Sequence, residues 1–169
     1  MTRLKIDVYG LLSFRQVGPE FTIPVCAMSA LELVKKFKQE GVSLFSSTIF
    51  ADPGRMFTVT SGSARVAIVE VTAPRPCFFG TEFMERAKLS GFNYLQADVG
   101  PYIALSYAYK FSPVTVASLP FPSTVNSNDP AHLLWKISRI GDAKPNLMAI
   151  EANPRIEGVR YIACLPCPN

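Results

Sequence analysis

Four cysteines, one histidine and a few turn aspartates are the residues in this chain whose chemistry could reach beyond packing. Cys164 and Cys167 make a CLPC run, while Cys26 and Cys77 stand apart. A structural zinc site needs a second ligand pair at metal spacing, and His132 is the single histidine, so the pattern offers no metal site. A redox CxxC normally opens a helix whose dipole lowers the thiol pKa. Here Cys164 is expected to end a strand, and Pro166 and Pro168 forbid a helix after it. Cys26 and Cys77 precede expected helix starts, a setting that favours thiolate, but neither has a histidine placed beside it by the pattern.

Acid-base chemistry is as poorly supplied. His132 falls in the first turn of an expected helix, where a solvated ring is the common outcome. Asp52 and Asp98 lie in the matching turns ADPGR and ADVGP, and turn aspartates usually bond their own backbone. The run GSARV lacks both the spacing and the lysine of a phosphate loop. The expectation is a non-enzymatic chain without cofactor or metal.

Basic residues form the more suggestive pattern. Gly41, Gly91 and Gly141 recur at an interval of fifty residues, each closing an expected helix. Four, seven and eight positions before them stand apolar residues: Phe37, Val34 and Leu33; Ala87, Met84 and Phe83; Ile137, Leu134 and Leu133. Five positions before them stand Lys36, Arg86 and Lys136, turned away from the apolar stripe. With Lys35, Lys38, Lys88 and Arg139 beside them, these residues are the expected nucleic-acid-binding set, because a row of positive charge on helix faces holds phosphates without reading sequence. Glu32, Glu40, Glu82 and Glu85 neutralise part of that charge.

The elements that must position these residues follow from local signals. Ser29 and Glu32 form a capping box before a first helix that ends at Gly41. A second helix starts at Gly80 or Thr81. A third is expected after Asp129 and Pro130, a specific start signal. Strands are expected at 3–17, bent or broken at Gly10, and at 21–25, 42–50, 56–61, 64–72, 92–97, 102–111, 114–119, 147–151 and 159–165. The run ARVAIVEVT at 64–72 is apolar enough to lie inside a sheet covered on both faces. The N-terminal and last strands are candidates to pair and close the sheet.

These signals predict a β-rich α+β fold in one domain, 1–169. An N-terminal strand segment, 1–20, precedes three repeat units, 21–63, 64–112 and 113–169. Each reads strand, helix, strand, strand, with the helices on one face of a mainly antiparallel sheet. Such units with basic helices facing inward resemble those of polymerase sliding clamps, which implies a nucleic-acid partner. Three units differ from the even number usual there, and no motif carries the likeness.

Composition points to association. Hydrophobic residues are 49% of the 169, charged residues 18%, and the chain holds 12 Phe, 6 Tyr and 14 Pro. A charged share of about 25% is usual, so the supply for a solvated exterior is thin. Net charge is +4, which permits an anionic partner. No run of 18 apolar residues is present to span a membrane, and the first residues lack a signal-peptide core. The expected function is a non-enzymatic subunit of a homo-oligomeric assembly, such as a viral or phage structural protein, in the cytoplasm or the virion. The alternative is a clamp-like binder of nucleic acid or another anionic partner through basic helix faces.

Overall fold

The computed structural model describes residues 13–17, 19–44, 47–58, 62–72, 77–78, 81–93, 95–107, 114–116, 121–122, 132–138, 145–151, 155–156 and 160–164. In chain order these hold β1 (Ser13–Gln16), β2 (Phe21–Pro24), β3 (Met28–Ser29), α1 (Ala30–Glu40), β4 (Ser43–Leu44), a 3-10 turn at Ser47–Phe50, β5 (Met56–Phe57), β6 (Ser63–Thr72) and β7 (Cys77–Phe78). There follow α2 (Thr81–Leu89), a 3-10 turn at Ala97–Val99, α3 (Gly100–Tyr107), β8 (Val114–Val116), β9 (Phe121–Pro122), β10 (His132–Ser138), β11 (Asn146–Glu151), β12 (Arg155–Ile156) and β13 (Arg160–Cys164). The fold is mixed α+β.

The main sheet runs β1-β6-β13-β8-β10-β11-β4, with β2 also on β6 and β9 also on β10. Its pairings are antiparallel except β13 with β8 and β11 with β4. Strand β6 lies inside the sheet because its β-branched residues fill both faces. Val66 and Ile68 join the core beneath the helices, and Ala67, Val69 and Val71 are buried on the opposite face with Phe14. The ribbons β3–β5 and β7–β12 stand outside the main sheet.

Helix α1 forms where the sequence places it. Ser29 Oγ accepts from the Glu32 amide at 3.3 Å, and Glu32 Oε2 accepts from the Ser29 amide at 2.8 Å. These reciprocal bonds satisfy two donors that the helix start leaves open. Gly41 closes the helix at φ 71°, a left-handed conformation that glycine takes without a Cβ clash. Ala30, Leu33 and Phe37 bury one face of α1 in a core shared with Tyr102 and Ile103 of α3 and with Trp135 and Ile137 of β10. Phe50 stacks on Phe57 at 5.1 Å between ring centres and lies 6.0 Å from the Trp135 ring.

The threefold repeat requires correction. The expected third helix is instead strand β10, so the segments before residues 41, 91 and 141 do not share a conformation. HLLWKIS satisfies both periods: Leu133, Leu134 and Ile137 make a helical stripe, and Leu133, Trp135 and Ile137 a strand face. Cross-strand pairing decides between them. Leu133–Ser138 pairs residue by residue with 146–151, and β8 and β9 flank the other side. Two expected strands also change. Residues 102–107 belong to α3, and Ala97, the expected end of the 92–97 strand, opens a 3-10 turn at Ala97–Val99. Pro101, in the first turn of α3, is the helix signal that the strand reading passed over.

Among its described residues the 42–50 stretch holds the short β4 and a 3-10 turn at 47–50. Among the described residues the N-terminal strand β1 and the last strand β13 do not pair; β6 separates them. Gly10, Gly141 and the 123–130 loop with its Asp129–Pro130 signal lie outside the described residues.

Candidate functional site

The start of α1 is fixed from three directions. Its first free amides are occupied: Ala30 N–H donates to the Arg55 carbonyl at 2.8 Å and Leu31 N–H to the Pro53 carbonyl at 3.3 Å, beside the Ser29 cap. With these donors used, the helix terminus is not an open anion site. The carbonyls come from the turn 52–55, which Asp52 shapes by accepting from the Gly54 amide at 2.9 Å. This is the local backbone bond expected of a turn aspartate.

Beneath that turn lies a polar cluster that the sequence did not reveal. The Arg55 guanidinium sits 4.7 Å from the centre of the Phe57 ring and 3.5 Å from Asp98 Oδ1. Asp98 Oδ2 accepts from the Thr58 amide at 3.3 Å. The Tyr102 hydroxyl donates to the Phe57 carbonyl at 2.6 Å and accepts from the Met28 amide at 3.2 Å. Burial pushes the Asp98 carboxyl above its usual range, against the opposing pull of Arg55 and the Thr58 amide. Burial likewise raises the Tyr102 phenol, and the Met28 amide opposes it. Each of these polar atoms is aimed at another part of the chain, so the cluster ties the β3–β5 ribbon to α3. ADVGP carried no such signal because Arg55 and Asp98 meet only through tertiary packing.

The expected basic set is divided by the fold. Lys35, Lys36 and Lys38 are exposed on α1, and Lys88 is exposed beside half-buried Arg86 in the last turn of α2. Lys136 is half-buried on β10, in register with Met148 and Thr115. No row of three matching helix faces exists, because the third member stands on a strand. Arg139 lies outside the described residues. His132 is on β10, not in a helix turn. Cys26 is a free, exposed thiol, Cys77 lies in β7 and Cys164 ends β13. Among the described residues no group of three His, Cys, Asp or Glu side chains is placed to hold a metal.

The exposed flank of α1 shows what spacing alone left open. Leu31, Val34, Lys35 and Lys38 stand at i, i+3, i+4 and i+7 and share one side of the helix. Leu31 is 48% exposed and Val34 36%. Met56, opposite Ser29 in the β3–β5 register, is also exposed. On α2, Leu89 is 77% exposed. The arrangement can bind apolar surface rimmed by negative charge.

No protein-family model, curated protein or solved structure matches the chain. No helix among the described residues is long and apolar enough to cross a membrane.

Proposed function

We propose that the chain is a non-enzymatic subunit of a homo-oligomeric assembly whose partners are copies of itself. The observation that carries this reading is the exposure of four large apolar side chains, Leu31, Val34, Met56 and Leu89. One exposed leucine is ordinary. Here two of the four share a helix flank, in a chain with 18% charged residues to cover its exterior. Closed symmetry consumes such surface without aggregation, as in viral or phage structural proteins, which is the setting we assign. Mass by light scattering at low and high concentration tests the reading. Association that grows with concentration supports it, and a monomer throughout refutes it.

A second reading, binding of nucleic acid or another anionic partner, is favoured by Lys35, Lys36 and Lys38. All three are exposed on α1 and make no ion pair among the described residues. Such charge can hold phosphates. Retention on heparin or DNA at low salt, lost when the three become glutamate, would support it. A wild-type chain that flows through at low salt ends it.

A further inference from the structure

Helices α1 and α2 carry the same sequence spacing in opposite directions. On α1, Leu31 is followed by Lys35 at four residues and Lys38 at seven. On α2, Leu89 is preceded by Glu85 at four residues and Glu82 at seven. Four and seven residues advance about 6 and 10 Å along a helix, so each set of positions forms a single ridge. Leu31, Lys35, Lys38, Glu85 and Leu89 are all exposed, and Ala87 is buried on the other side of α2. Glu82 occupies the helix position one turn before Glu85.

We infer that α1 of one copy docks antiparallel against α2 of a second copy. Leu31 then meets Leu89, Lys35 meets Glu85, and Lys38 comes opposite position 82, also a glutamate. This names the contact behind the proposed assembly and rests on that reading. Antiparallel packing also sets the two helix dipoles head to tail. The competing contact, α1 against α1 of another copy, brings the Lys35–Lys38 ridge onto its own like charge. Arg86 and Lys88 flank the α2 ridge, and Glu32 and Lys36 lie off the α1 flank, so the central pairs set the register. The contact joins two different patches. It therefore builds a ring or a filament when made once per neighbour, or a two-fold dimer when made twice.

Charge reversal tests this directly. The Lys35→Glu/Lys38→Glu and Glu82→Lys/Glu85→Lys variants each place like charges across every contact. Each alone should associate about tenfold or more weakly than wild type in light scattering. Mixed in equal amounts, the two variants supply contacts between opposite charges, and the assembled mass should return. Circular dichroism establishes that each variant is folded. Leu31→Ser and Leu89→Ser, single changes at exposed positions, should weaken association independently. An oligomeric wild type whose variants assemble unchanged, or whose mixed variants stay apart, overturns the helix pairing and leaves the assembly reading standing. A monomeric wild type overturns both.

Discussion

Trp135 packs so close to Gly100 that a Cβ there would fall 2.3 Å from its Cδ1 and Cγ atoms. The contact joins β10 to the start of α3, and the indole N–H donates to the Ala97 carbonyl at 2.7 Å. Gly100 is helical, at φ −52° and ψ −44°. Propensity alone therefore favours alanine there by about 1 kcal/mol. Overpacking costs about 1–3 kcal/mol. Trp135 is fully buried on a paired strand, so its ring does not yield by swinging into solvent. Gly100→Ala should lower stability by up to about 2 kcal/mol in urea unfolding. A stabilised variant would show that the indole can move.

Tyr102 supplies the second anchor. Removing its hydroxyl in Tyr102→Phe keeps the ring but leaves the Phe57 carbonyl and the Met28 amide without this partner. A buried polar group left unpaired costs about 1–3 kcal/mol. The loss should appear in the unfolding midpoint, with the slope unchanged. An unaffected midpoint would mean that water replaces the phenol.

Asp98 gives the cluster a pH signature. Its folded-state pKa is raised above the usual 3.8, chiefly by burial, so folding favours the protonated acid. The stability contributed by this group is full below pH 3.8 and is lost as pH rises through the raised folded value. Asp98→Asn keeps an acceptor for the Thr58 amide and titrates nothing. The wild-type advantage over Asp98→Asn should shrink from acid toward neutral pH in parallel denaturation series. An advantage that grows with pH would mean that attraction to Arg55 outweighs burial.

The parts of the fold legible in the chain were those with local causes. Ser29, Glu32 and Gly41 state both ends of α1, and the β-branched residues of β6, in a run with no Gly or Pro, state a strand buried on two faces. The parts that misled were those decided at a distance. Trp135 and Ile137 fit a helix or a strand until β11 pairs beside them, and Tyr102 and Ile103 looked like strand residues until Pro101 is given its weight. Of the expected basic site, α1 and α2 keep Lys35, Lys36, Lys38, Arg86 and Lys88 on helices, while Lys136 moves to a strand. The Arg55–Asp98–Tyr102 cluster had no sequence signal, because its members are joined only by the packing of β5 on α3.

The capping box predicts a pH response opposite in sign to that of Asp98. Hydrogen bonds from the Ser29 amide and hydroxyl hold the Glu32 carboxyl below its usual 4.5, and Lys35 and Lys36 add a smaller pull. Stability from this group is present above pH 4.5 and is lost as pH falls through the depressed folded value. Glu32→Gln should remove that acid-side loss while retaining a side chain long enough to reach the cap. Ser29→Ala should cost about 1 kcal/mol at neutral pH. The cause is that the Glu32 amide loses its acceptor at the helix start. Urea midpoints from about pH 3 to 7 separate the two groups: the Glu32→Gln difference opens as pH rises, and the Asp98→Asn difference closes. If both move in one direction, the opposing electrostatic roles assigned to the two ends of the β3–β5 ribbon are wrong.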